Sequence, residues 1–176
     1  MIDHKEVRQL ALELGADLCG IAPVSRFDKA PQGFHPRDVY PDAHSVVAYE
    51  CWDEDRREGR ALLSLRHAGW LAGLGVLGKN TLLTNGQYGN RLSLGALLLN
   101  IELEGDPMVA PSFCLPTCRL CIDACPVGAL NGETVNQRLC RGQCEGRTKK
   151  NEPIYTCNVC RRVCPRGRQN PGEVYP

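Results

Sequence analysis

A chain of 176 residues with 43% hydrophobic and 23% charged side chains has room for one folded core plus a small second module, which excludes disorder, a fibre and a second large domain. Eleven cysteines behind a charged N-terminus, Met1-Ile2-Asp3-His4-Lys5-Glu6, argue against a disulfide scaffold and for metal ligation in a reducing, cytoplasmic setting. Net charge is +1 but uneven: residues 138–168 hold nine basic and two acidic side chains, a stripe able to attract RNA or an acidic protein, or simply to offset thiolate charge.

In chain order, Asp3 to Leu14 reads as an amphipathic helix. Asp3 stands as N-cap with Glu6 three residues on, Val7, Leu10, Ala11 and Leu14 share a face, and Gly15 marks the stop. Asp17 to Ala22 and Ser45 to Tyr49 read as short buried strands separated by a loop-rich stretch, residues 23–44. Arg56 to Leu74 is expected to be a second helix, weakened by Gly69 and Gly73. The run Gly75 to Thr81 is a glycine-punctuated loop, after which Thr81 to Thr84 and Arg91 to Ile101 predict a hairpin about Asn85-Gly86. The longest mainly apolar run, Leu92 to Leu99, is far short of the roughly 18 residues a membrane span needs. From Gly105 the composition turns to a Pro-containing linker, beyond which almost every apolar residue sits near a cysteine. A domain boundary is therefore placed between 104 and 105, with metal ligation expected to stabilise residues 105–176.

Nine cysteines lie in that second segment. One motif is Cys114-x3-Cys118-x2-Cys121-x3-Cys125-Pro126 and another Cys157-x2-Cys160-x3-Cys164-Pro165, with Cys140 and Cys144 between them. In bacterial two-cluster ferredoxins a Cys-x2-Cys-x2-Cys-x3-Cys-Pro run gives three ligands to one [4Fe–4S] cluster while its fourth cysteine ligates the other. Applied here, the pattern assigns cluster I to Cys114, Cys118, Cys121 and Cys164. Cluster II takes Cys125, Cys157, Cys160 and either Cys140 or Cys144, with Cys140 preferred. The extra residue between Cys114 and Cys118 departs from the ferredoxin spacing. Structural zinc is the alternative for two Cys-x2-Cys pairs, but it leaves both Cys-Pro corners unexplained. Cys19 and Cys51 read as small core residues, and His4, His35, His44 and His67 form no ligand-spaced pair.

The run Gly73 to Leu83 containing Gly78-Lys79-Asn80-Thr81, followed by Tyr88-Gly89, Leu94-Gly95 and the cysteine motifs in the same order, resembles the epoxyqueuosine reductases over residues 73–165. Leu14 to Ala22 looks like that family's opening helix-to-strand step. The resemblance implies an α+β protein, in which a small nitroreductase-like α/β domain that binds a corrinoid is followed by a ferredoxin-like domain holding two [4Fe–4S] clusters. It also makes Gly75, Gly78, Lys79, Asn80 and Thr81 contacts to cobalamin, glycines allowing close backbone approach and Lys79 meeting an anionic part of the cofactor. Two family features have no counterpart here: an acid-bearing Asp-x-x-Pro segment between the second strand and the glycine loop, and a C-terminal helical-repeat region. Asp53, Glu54 and Asp55 occupy the place of the former only by location.

The expectation is therefore an iron–sulfur electron-transfer protein served by a redox partner such as a ferredoxin, flavodoxin or reductase. A compact cobalamin-dependent reductase is the competing reading, and tRNA binding through the basic stretch is a third.

Overall fold

The computed structural model describes residues 3–51, 63–109, 113–151 and 153–167. Its elements in chain order are α1 (His4–Glu13), β1 (Leu18–Pro23), α2 (Pro36–Val39), β2 (Ser45–Cys51), α3 (Leu65–Leu71), β3 (Val76–Leu77), β4 (Leu83–Thr84), β5 (Ser93–Leu99), α4 (Leu120–Asp123), α5 (Gln137–Cys144), β6 (Glu145–Arg147), β7 (Pro153–Tyr155) and α6 (Val159–Arg162). Short 3-10 turns lie at Val24–Phe27 and Pro165–Gly167. The mixture is α+β. Among the described residues no helix is long and apolar enough to cross a membrane.

The chain packs as two compact units, the first built from residues 3–51, 63–76 and 92–109. Its sheet has the order β1-β2-β5, antiparallel throughout, with Ile21 opposite Val47 and Val47 opposite Leu97. Alternation along the strands sends Cys19, Ile21 and Val47 to one face, where they bury with Leu103 against Val7 and Ala11 of α1 and Leu99. Helix α3 packs against all three strands of the sheet. Gly20 is required at the α3 contact, since a Cβ there would overlap the Ala72 carbonyl. Asp3 and Glu6 form the expected capping box on α1: the Asp3 carboxylate accepts from the amides of Lys5 and Glu6, and Glu6 accepts from the Asp3 amide at 2.9 Å.

Asp106 fastens the exit of this unit onto β1. Its carboxylate accepts the Ile21 amide at 2.8 Å and the Arg8 guanidinium at 2.9 Å, and its own amide donates to the Ile21 carbonyl. Arg26 donates to the carbonyls of Asp106 and Leu71. Because Asp106 is bound in this way, the start of the linker expected after 104 is part of the first unit's packing.

The second unit joins Leu77–Arg91 to residues 113–151 and 153–167. Residues 77–91, assigned from sequence to the first domain, pack with the cysteines. The predicted hairpin does not form: β4 pairs with β3, and β5 pairs with β2. Asn85 accounts for the difference, because its side chain accepts from the amides of Gln87 and Tyr88 and closes a local turn, leaving only an Asn85 to Gly89 bridge. The second helix is also shorter than expected, Leu65–Leu71; the rest of its predicted start, together with Asp53, Glu54 and Asp55, lies outside the described residues.

Candidate metal centre

Each cysteine motif folds as a loop, one helical turn and a corner. Cys114 and Cys118 lie on the loop that enters α4, Cys121 is within α4, and Cys125 follows it at the corner made by Pro126; Cys157, Cys160 and Cys164 repeat the arrangement around α6 and Pro165. The prolines have no amide hydrogen with which to continue the helices, so each chain reverses there. Helices α4 and α6 pack on one another, which brings the end of each motif beside the start of the other.

The electrostatics group the thiols. Burial pushes the Cys121 thiol up, and the sulfurs that add to the shift belong to Cys114, Cys164 and Cys118. Cys164 is likewise raised by burial and by Cys114 and Cys118, against hydrogen bonds from the amides of Arg166 and Gly167. A second set forms around Cys160, raised by burial first and then by Cys140, Cys157 and Cys125, with Arg161 opposing. Burial and these neighbours favour the neutral thiol at Cys121, Cys160 and Cys164. Cys121 and Cys164 thus stand with Cys114 and Cys118, and Cys160 stands with Cys140, Cys157 and Cys125, while Cys144 neighbours Cys140 and Cys157 as well. Among the described residues no three His, Cys, Asp or Glu side chains converge tightly enough to hold a single metal ion.

Backbone amides point at the sulfurs. Lys79 donates its amide to Cys114 Sγ at 3.4 Å, and Ala129 donates to Cys125 Sγ at 3.2 Å. Such donors stabilise a ligating thiolate and tune what it binds. They also place Cys114, whose spacing is irregular, among the ordered sulfurs.

The glycine loop makes contacts that its sequence does not reveal. Lys79 Nζ donates to the carbonyls of Leu115 at 3.0 Å, Pro116 at 2.6 Å and Cys118 at 2.9 Å, which uses all three ammonium hydrogens. Gly78 packs beside Cys114 Sγ. Asn80 is 4% exposed; its amide group donates to the Cys160 carbonyl at 3.3 Å, and its oxygen accepts the Leu82 amide. Thr81 adopts φ 58°, a left-handed conformation that closes the turn through a bond from its amide to the Gly78 carbonyl. Gly75 lies in the first unit. The loop therefore ties the first cysteine loop to the second motif. Asn90 and Arg161 make another such tie, the Arg161 guanidinium donating to the Asn90 carbonyl and the Asn90 amide group to the Arg161 carbonyl.

Cys144 is a ninth thiol in this unit, pushed up to about 11 by burial first, then by Cys140, and also by Cys157. Cys19 is a buried core residue of the first unit, and Cys51 sits in β2. The histidines serve elsewhere: His35 caps α2, His67 Nδ1 lies 2.7 Å from Ser64 Oγ, and His4 and His44 stand 3.7 Å from Glu104 and Glu102.

No family model matches the chain. It is a relative of the epoxyqueuosine reductases: the enzyme of Lactococcus garvieae is 36% identical over 115 residues, which cover 60% of this chain and 32% of that protein. The chain thus matches about a third of the length of its curated relatives. In solved structures, the epoxyqueuosine reductase of Streptococcus thermophilus superposes with a TM-score of 0.73 at 20% identity, covering 98% of this chain and 68% of that one. An epoxyqueuosine reductase bound to an epoxyqueuosine-modified tRNA-Tyr stem loop superposes with a TM-score of 0.70 at 20% identity, covering 98% and 67%. At that identity the likeness concerns the fold.

Proposed function

We propose that this chain is an iron–sulfur electron-transfer protein of reductase ancestry, carrying two [4Fe–4S] clusters in a ferredoxin-like second unit. Cluster I is held by Cys114, Cys118, Cys121 and Cys164, and cluster II by Cys125, Cys140, Cys157 and Cys160. The observation that carries the reading is the exchange of partners, with Cys164 grouped among the first motif's sulfurs and Cys125 among the second's. The donor chemistry fits. A single zinc needs four sulfurs at about 2.3 Å from one point, whereas a four-iron cluster spreads its thiolates around a wider body. Four cysteine thiolates are the donor set such a cluster takes.

When bound, the clusters supply one-electron chemistry at potentials set by charge, hydrogen bonding and exposure. The chain's own residues do the rest. The amides of Lys79, Ala129, Arg166 and Gly167 direct hydrogen onto the ligand sulfurs, the Lys79 ammonium and the basic stretch offset the anionic ligands, and the Cys-Pro corners hold the two quartets adjacent. Such a protein works in a reducing compartment with a ferredoxin, flavodoxin or reductase as its redox partner.

Anaerobic reconstitution with iron and sulfide tests this reading. About eight iron and eight sulfide per chain, with two interacting electron paramagnetic resonance signals on reduction, are expected from two cubanes. A protein that binds zinc instead, or stays colourless, would refute it.

A second reading is favoured by the relatives' name. As a compact cobalamin-dependent reductase, the chain would pass cluster electrons to a corrinoid and then to a substrate such as a modified tRNA. Cobalamin that co-elutes with the reconstituted protein and changes its spectrum on reduction supports this reading; its failure to bind returns the chain to electron transfer alone.

A further inference from the structure

The chain that links Cys144 to Cys157 is a β-hairpin with a basic tip. Strands β6 and β7 pair in antiparallel register, Glu145 with Tyr155, Gly146 with Ile154 and Arg147 with Pro153. At the base, the Thr156 amide and hydroxyl donate to the Cys144 carbonyl at 2.7 and 3.1 Å, one residue before Cys157. At the tip, the Asn151 amide donates to the Thr148 carbonyl at 2.9 Å, and the Arg147 guanidinium donates to the Asn151 carbonyl at 2.8 Å. This turn makes Lys149 and Lys150 its two central residues, and both are exposed. Strands of this length set them about 10 Å from the base. Helix α5 runs into β6 without a break and adds exposed Arg138 and Arg141. Glu145 is the one acidic side chain among the described residues from 138 to 167.

The hairpin also carries apolar surface. A Cβ at Gly146 would meet the Thr156 methyl at 2.7 Å and Ile154 at 3.8 Å, so these two lie over the ribbon where a side chain would stand. Ile154 is 39% exposed and Tyr155 46%. We propose that this hairpin is the docking surface for an acidic redox protein that delivers electrons to the second cluster. The proposal rests on the two-cluster reading above and names the face that the partner uses. Charge complementarity selects the partner: residues 1–137 hold twelve basic and seventeen acidic side chains, so excess positive charge is confined to the stretch that includes the hairpin, where it steers a protein of opposite sign. An aromatic and an aliphatic side chain among arginines and lysines match the make-up of a protein interface. Ile154 offers nothing to the phosphates that dominate RNA affinity. One electron leaves the partner's reduced cofactor and enters the cluster, and no bond forms or breaks.

The test mixes the full reconstituted chain with a reduced acidic flavodoxin, whose flavin absorbance reports the transfer in stopped flow. Iron analysis comes first. Wild type short of eight irons sinks the two-cluster reading, and calorimetric binding of oxidised flavodoxin to wild type and K149E/K150E then decides the docking surface by itself. Otherwise K149E/K150E should keep eight irons and both cluster potentials, react normally with dithionite, and accept electrons from flavodoxin roughly tenfold more slowly at low ionic strength, the difference shrinking as salt is added. K149Q/K150Q should lie between. K5E/K29E, the same charge change on exposed lysines of the first unit, should stay near the wild-type rate. An unchanged flavodoxin rate or affinity in K149E/K150E, or equal slowing in K5E/K29E, would overturn the proposal. Slowing matched by a shift in cluster potential would make the lysines charge-offsetting groups and overturn it too. So would a tRNA stem loop that loses binding in K149E/K150E while flavodoxin does not.

Discussion

Replacing Lys79 with methionine keeps the length and apolar stem of the side chain and removes only the ammonium. Three carbonyl partners are then lost together: Leu115, Pro116 and Cys118. Hydrogen bonds to a charged group contribute about 1.5–3 kcal/mol each when desolvated. Leu115 is 69% exposed, so its carbonyl and that of exposed Pro116 regain water, and the cost concentrates on the part-buried bond to Cys118. A net loss of about 2–3 kcal/mol is expected, equivalent to roughly 30- to 150-fold weaker retention of whatever the first quartet binds. The assay is a chelator titration of reconstituted protein, following iron per chain and the spectrum of the remaining cluster. K79M should release four irons at a far lower chelator concentration than wild type and keep the other four. K79R should fall between, because a planar fork cannot aim three hydrogens at three carbonyls around one point. Eight irons released together, at the wild-type chelator concentration, would refute the clamp.

Other consequences can be checked in the first unit. Asp106→Ala leaves the Ile21 amide and the Arg8 guanidinium without their carboxylate and should destabilise this unit by about 2–4 kcal/mol in urea unfolding, with Asp106→Asn costing less. Gly20→Ala drives a methyl into the Ala72 carbonyl and should lower the yield of folded protein, whereas Gly33→Ala, whose Cβ would meet open space, should be limited to the mild cost of its positive φ. Desolvation of the ring and then the Arg66 charge lower the pKa of His67 below 6.5. The unfolded chain therefore takes up a proton that the folded one resists, and stability present above about pH 6.5 should fall as pH drops below it; H67Q should flatten that slope in denaturant titrations.

Much of this architecture was legible in the residues. Asp3 and Glu6 specify their capping box within four residues, and the alternation around Ile21 and Val47 carries the sheet, because both signals are local. What escaped was long-range. The three acceptors of Lys79 are backbone carbonyls 36 to 39 residues away, and carbonyls leave no mark in a sequence. Asn85-Gly86 resembles a hairpin turn, but the Asn85 side chain closes a tighter one, and the apolar run after it has a better partner in β2. The domain boundary at 105 followed a change in composition, whereas residues 77–91 join the cysteine unit through hydrogen bonds that composition does not encode.

The central claim is that the two motifs exchange one cysteine each, and the single variant C164A tests it most directly. Mössbauer and electron paramagnetic resonance spectra of the reconstituted protein should show cluster II intact, although Cys164 closes the second motif, with cluster I reduced to a three-iron form or lost. Loss of the cluster held by Cys157 and Cys160, with the one held by Cys114, Cys118 and Cys121 intact, would contradict the account.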